Sequence, residues 1–227
     1  MIPTQAIILA AGFGTRLKWM RQDKPKALVE VAGIPLIVHV LRRLQRQGIA
    51  YVVINTHYQS EKLKAVVGDG SAFGMHIRIS EEETILDAGG GVCQALQVLP
   101  SADPVLVHNV DVWSDIRLQD FDCPPAGACL ALTANPAHNP EGDFSLQHTQ
   151  VMPKHTDQAS WTFCGVAVFD PQVFTAYSAG QSFSMMRVFL DLMQQQRLHG
   201  YVHQGEWFDL GRPRDIIQTN LRRFYAR

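Results

Sequence analysis

The chain has 227 residues, 46% hydrophobic and 18% charged, enough to bury one substantial core, and reads as an undivided domain over residues 1–227. Its formal net charge is −1 and its isoelectric point near 6.7, so no global positive field recruits nucleic acid or an anionic membrane, and any phosphate ligand must be held locally. The four cysteines, Cys93, Cys123, Cys129 and Cys164, include no Cys-x-x-Cys, which points to reduced, packed thiols and a cytoplasmic address rather than a zinc site or disulfide framework.

The first apolar run, Ala6 to Ala11, is six residues long without a basic segment before it. That is too short for a membrane or secretory segment and reads as a buried strand. It opens into Gly12-Phe13-Gly14-Thr15-Arg16-Leu17 and then Lys24-Pro25-Lys26. Without a Cβ, Gly12 and Gly14 can take positive φ and bring backbone N–H groups close to an anion, while Arg16 and Lys26 can neutralise a polyphosphate. Leu17 stands where a dinucleotide fingerprint needs its third glycine, and Thr15-Arg16 stands where a P-loop needs Lys-Ser/Thr, so neither motif applies.

Gly33-Ile34-Pro35 then starts a helix carrying Ile37, Val40, Leu41 and Leu44, stopped by Gly48. Tyr51 to Ile54 predicts a strand, Glu61 to Val66 a short helix, His76 to Ile79 a strand, Gln94 to Leu99 a helix and Val105 to Val107 a strand. This alternation implies a largely parallel sheet whose ligands bind at the strands' C-terminal ends. The second half is less regular, with strands expected at Cys129 to Thr133, Gln150 to Met152 and Phe163 to Phe169. A helix near Phe183 to Gln195 is expected to bury Met186, Phe189, Leu190 and Met193, and a final helix follows Pro213.

Two carboxylates stand out beyond the first loop. Asp111 follows the apolar run Val105 to Val107 directly, and Asp209 lies in Glu206-Trp207-Phe208-Asp209-Leu210-Gly211. Glu81-Glu82-Glu83 reads as a solvated acidic face on its own, but it precedes Leu86-Asp87-Ala88-Gly89-Gly90-Gly91.

Leu9-Ala10-Ala11-Gly12-Phe13-Gly14-Thr15-Arg16-Leu17, followed by Pro25-Lys26-Ala27-Leu28, resembles the opening signature of the sugar nucleotidyltransferase family. Only Ala27 departs, standing where the family has proline. The resemblance implies an α/β, Rossmann-like (GT-A-like) nucleotidyltransferase fold, with a mixed, mostly parallel sheet flanked by helices. It implies an NTP-binding half over 1–115 and a sugar-binding half over 116–227. It also implies transfer of a nucleotidyl group from an NTP to a sugar 1-phosphate, with Asp111 and Asp209 on Mg²⁺ and Arg16 and Lys26 on the NTP phosphates.

Ala11, Gly12, Gly14 and Thr15 would then cradle the nucleotide, Glu82 select the base, and Gly89 and Gly90 offer backbone groups to it. Asn109, Asp143 and Gly165 are the sugar-side candidates. Ile54-Asn55-Thr56-His57, Gly68 to Gly74, Gly142-Asp143-Phe144 and Phe163-Cys164-Gly165 resemble the branch that uses UTP and N-acetylmuramic acid 1-phosphate in cell-wall recycling. Three further positions depart from the family pattern: Ala88 replaces a threonine, Val110 a glycine and Arg212 a threonine. Val110 is expected to narrow the sugar side of the pocket.

Many relatives carry a second lysine on the sugar phosphate, and Lys154 is the nearest candidate here; His57 and His138 read as loop or shell residues. A guanylyl- or cytidylyltransferase on mannose, heptose or choline phosphate, a catalytically impaired nucleotide-binding regulator, and a dinucleotide oxidoreductase weakened by Leu17 stay open. The expected state is a monomer or small homo-oligomer with no nucleic-acid or membrane partner.

Overall fold

A computed structural model describes residues 2–15, 17, 23–155 and 158–225, with only the backbone for 220–225. In chain order the elements are β1 (Gln5–Leu9), the short hairpin β2 (Glu30–Val31) and β3 (Ile34–Pro35), α1 (Leu36–Arg46), β4 (Tyr51–Thr56), α2 (Ser60–Val67), β5 (His76–Glu81), α3 (Asp87–Leu96), β6 (Val105–Asn109) and β7 (Val112–Ser114). They continue with β8 (Ala128–Thr133), β9 (Phe144–Gln147), β10 (Gln150–Pro153), β11 (Ser160–Phe169), α4 (Met185–Gln194), β12 (Leu198–Val202), β13 (Trp207–Asp209) and α5 (Pro213–Tyr225). None of the helices among the described residues is long and apolar enough to cross a membrane.

Nine strands form one sheet in the order β5-β4-β1-β6-β11-β8-β12-β10-β9. The pairings β4–β5, β1–β4, β1–β6 and β8–β12 are parallel, and β10 and β11 run against the other seven. The α/β sheet is thus mixed, as the resemblance implies, with seven of its nine strands running one way and its parallel ladders concentrated in the β5-β4-β1-β6 half. After β1 the chain lays β4 and β5 on one side and then returns to put β6 on the other. That reversal opens a crevice beyond the carboxyl ends of β1 and β6, the general ligand position of such sheets.

Period-two alternation divides the core. Ala6 and Ile8 of β1 face a layer containing Ile37, Val40 and Leu41 of α1, whereas Ile7 faces a layer containing Val92 of α3 and Val188 and Phe189 of α4. Full burial of each such isoleucine contributes about 1.5–3 kcal/mol. In α4 the buried residues are Met185, Val188, Phe189, Leu192 and Met193, so the expected placement of Met186 and Leu190 in the core is corrected: both are exposed. The helix turns its apolar stripe one position away from the one that spacing alone suggested.

Two boundaries also move. β1 stops at Leu9 because the side chain of Asn55 accepts the Ala10 N–H at 2.6 Å and draws the backbone out of the ladder. The helix expected near Gln94 begins at Asp87 and includes Gly89, Gly90 and Gly91. Glycine is a poor helix former, but a Cβ at Gly89 would lie 2.5 Å from the Phe183 ring, and one at Gly90 would run into the Gln181 carbonyl. The helix tolerates glycines where the chain before α4 presses against it.

Candidate active site

Two adjoining clefts sit at the crevice and share Asn109 and Asp111. The first, about 450 Å³, is lined by Leu9 to Gly12, Lys26, Asn55, Glu82, Ile85, Asp87, Ala88 and Val110. The second, about 310 Å³, is lined by Val112, His138, Asn139, Asp143, residues 162–165, Trp207, Asp209 and Arg212.

In the first loop the two glycines serve different ends. Gly14 has φ +57°, and a Cβ there would lie 2.9 Å from Lys26 Cβ, so its bare backbone lets the Lys26 stem cross the loop. Gly12 has ordinary φ and open space around it, leaving its face to the cleft. Lys26 donates to Asp111 Oδ2, a pair with side chains only 14% and 11% exposed. Ala11 lines the cleft, whereas Thr15 is exposed and lines neither cleft. Arg16 lies outside the described residues. Beneath the loop, Leu17 packs with Val29, Val31, Leu36, Leu210 and Ile216, joining it to the segment that follows Asp209.

Asp209 reaches the crevice through a two-stranded ribbon. β13 pairs antiparallel with β7, opposing Asp209 to Val112, and Leu210 N–H donates to the Asp111 carbonyl at 2.8 Å. Carboxylates about a hundred residues apart in sequence therefore line one cleft. Asp209 Oδ1 accepts Gly211 N–H at 2.8 Å, and Oδ2 lies 3.7 Å from His138 Nε2. His138 also lies over Trp207, ring centroids 6.4 Å apart, so this loop histidine belongs to the cleft wall.

Asn109 is held from the far side by β11, whose pairing with β8 slips between Phe163 and Ala167. Gly165 sits in that irregularity with φ +73°, and a Cβ there would lie 2.7 Å from Asn109 Nδ2. Asp143 lines the same cleft, with Oδ1 accepting from Asn139 Nδ2 at 2.9 Å and Oδ2 from Phe163 N–H at 2.8 Å. These bonds tie the loop before β9 to β11.

Three expectations are corrected here. Glu82 lines the first cleft but is 4% exposed, and its oxygens accept from Asn55 Nδ2 at 2.7 Å and Leu86 N–H at 2.9 Å. It is occupied as a buried tie rather than presented to a base edge. The amides of Gly89 and Gly90 both donate to the Phe183 carbonyl at 3.1 Å and line neither cleft, so they are not available to a nucleotide. Val110 is 2% exposed, packs in the core and lines the first cleft, not the sugar-side one it was expected to narrow.

Lys154 pairs with Glu141 at 2.8 Å and lines neither cleft. Asn55, passed over as a site residue, links Ala10 to Glu82 while 2% exposed. A polar residue closing the apolar strand Tyr51 to Ile54 was the signal for it.

The sequence profile of the nucleotidyl transferase family matches residues 5–122. The chain belongs to that family. This nucleotidyltransferase is 39% identical over 215 residues to the N-acetylmuramate alpha-1-phosphate uridylyltransferase of Neisseria meningitidis, covering 91% of this chain and 93% of that protein. It is 32% identical over 237 residues to the protein of the same name from Caulobacter vibrioides, covering 97% of each. The inositol-1-phosphate CTP transferase of T. maritima has the same fold, with a TM-score of 0.79 at 18% identity over 95% of this chain and 92% of that one.

A divalent cation fits the donor set. Asp111 and Asp209 are hard oxygen donors, and the contact of Asp111 with a lysine ammonium shows that its carboxylate already attracts a cation. Among the described residues no group of three or more His, Cys, Asp or Glu side chains is placed to hold a metal. Two carboxylates lining one cleft are a donor set that a hard divalent cation completing its shell with water and phosphate oxygens can use.

Proposed function

We propose that this nucleotidyltransferase moves a nucleotidyl group from an NTP to a sugar 1-phosphate, with UTP and N-acetylmuramic acid 1-phosphate as the preferred pair. The observation that carries the reading is the β7–β13 ribbon, which sets Asp209 into the cleft that also holds Asp111, beside Lys26. The choice of UTP and of the muramic acid substrate is supported by the similarity to the Neisseria and Caulobacter proteins.

In this reading the first cleft receives the NTP and the second the sugar, in the NTP-binding half 1–115 and the sugar-binding half 116–227. An oxygen of the sugar 1-phosphate attacks the α-phosphorus in line, the bond to the β-phosphate breaks, and pyrophosphate leaves. The nucleophile is already an anion, so the reaction needs no general base, and the protein supplies orientation and charge neutralisation. Asp111 and Asp209 would hold Mg²⁺, which when bound offsets the negative charge of the phosphates. Lys26 and Arg16 bind the NTP phosphates, Gly12 admits them to the backbone, and Asn109, Asp143 and Gly165 shape the sugar side. Glu82 and Asn55 act within the cleft wall by fixing where the first loop leaves β1. The setting is the cytoplasm, where both substrates are small soluble anions.

Pyrophosphate release tests the reading, with each NTP offered in turn against a panel of sugar 1-phosphates and Mg²⁺. Release with UTP and N-acetylmuramic acid 1-phosphate is expected. Release only with GTP and mannose 1-phosphate would transfer the assignment to a guanylyltransferase, and none with any pair would end it.

A further inference from the structure

The sugar-side cleft is rich in carboxylates: Asp111, Asp143 and Asp209 line it. Each is already engaged, Asp111 by Lys26, Asp209 by Gly211 N–H, and Asp143 by Asn139 and Phe163 N–H. Arg212 lines the same cleft, partly buried, and no hydrogen bond or ion pair joins its guanidinium to another described residue. Its backbone is fixed, since the Arg212 carbonyl accepts from Asp215 N–H and Ile216 N–H. A guanidinium presents five donors in a planar fork that suits phosphate and carboxylate, and among the described residues no acceptor takes them.

Lys154, the nearby candidate for a lysine on the sugar phosphate, does not line this cleft and pairs with the exposed Glu141 instead. We infer that Arg212 binds an oxyanion of the sugar substrate in the second cleft and so replaces that lysine as the sugar-side anchor. This rests on the reading of the second cleft as the sugar site. The oxyanion has two possible sources with one chemistry: the 1-phosphate that every substrate of this class carries, or the carboxylate of a lactyl ether substituent, which muramic acid has and glucosamine lacks. In either case the arginine stands where the family pattern has a threonine, which cannot neutralise charge.

The test is calorimetric titration of wild type, R212T and R212K with N-acetylmuramic acid 1-phosphate and with N-acetylglucosamine 1-phosphate. A UTP analogue that cannot be cleaved, with Mg²⁺, is present throughout. R212T is expected to weaken sugar phosphate binding by about 10- to 100-fold, the size of a lost charge-assisted hydrogen bond. Affinity for the UTP analogue and the melting temperature should hold, and R212K should recover part of the loss because it keeps the charge without the fork.

Weakening of both ligands assigns the phosphate, and weakening of the muramic acid ligand alone assigns the carboxylate. Equal affinities in wild type and R212T, or no binding of either ligand by wild type, would overturn the inference. K154A should bind both ligands as wild type does, and a loss there equal to that of R212T would return the anchor to the lysine. The two readings separate cleanly: binding through Arg212 without pyrophosphate release defeats the proposed reaction alone, while turnover indifferent to Arg212 defeats the inference alone.

Discussion

The two clefts are built by different means. The first is walled mainly by the carboxyl ends of adjacent parallel strands and the loops that leave them, and it is braced within that wall by buried polar ties: Asn55 to Ala10, Asn55 to Glu82, and Glu82 to Leu86. The second is collected from pieces far apart in the chain: the loop holding His138, the irregular stretch around Gly165, and the ribbon that carries Asp209. Its carboxylates Asp143 and Asp209 each accept from one backbone amide, Phe163 N–H and Gly211 N–H respectively, rather than from a chain of buried side chains. The comparison teaches that this fold builds one cleft along the ends of neighbouring parallel strands and assembles the adjoining one from segments distant in sequence.

The largest effect should come from the residues that join the clefts. Replacing Asp111 or Asp209 by Asn keeps the shape but removes an anionic donor, and each is expected to lower kcat/KM about 1,000-fold, roughly 4 kcal/mol, with unchanged circular dichroism. Near-normal turnover of either variant at limiting Mg²⁺ would break the account of a shared centre.

The seam itself is tested by pH. His108 of β6 pairs with Ile8 of β1 on one side and Val166 of β11 on the other, and full burial pushes its imidazole down to about 4. The unfolded chain, with an ordinary value near 6.5, therefore takes up the proton first as pH falls. Stability from this residue is complete above about pH 6.5 and is lost on the way down to about 4, in all about 3 kcal/mol. Urea midpoints of wild type and H108Q at pH 7 and pH 4.5 should show a smaller acid loss in the variant.

Val110 separates the clefts by a smaller margin. Since it packs in the core, V110G should cost about 2–3 kcal/mol in urea unfolding and leave the ranking of sugar 1-phosphates unchanged. A broadened sugar range would restore this residue to the sugar side. The smallest effect is expected at Gly91, where a Cβ would lie 2.5 Å from Asn55 Nδ2 and 2.6 Å from Glu82 Oε1. G91A should cost about 1–3 kcal/mol and raise the KM for UTP more than that for the sugar, because the strain falls on the ties within the wall of the first cleft. Equal changes in both KM values would deny that these ties belong to one cleft.

The sequence by itself determined the parallel half and most of the first cleft. Apolar runs with alternating helices fix β1, β4, β5 and β6, and Ala11, Gly12 and Lys26, which line the first cleft, lie within a short stretch whose order is its own signal. It also supplied Asp111 and Asp209 as candidates, through their places in recognisable segments. Only the tertiary structure decided which groups were already in use. Glu82, Gly89 and Gly90 look available in a linear reading, yet Asn55, Leu86 and Phe183 occupy them, because a buried donor or acceptor must find a partner and that partner can lie anywhere in the chain. The same holds for Lys154, which Glu141 takes, and for Val110, which the core takes. Local order of residues fixes backbone period and loop chemistry, whereas burial and pairing are properties of the packed whole.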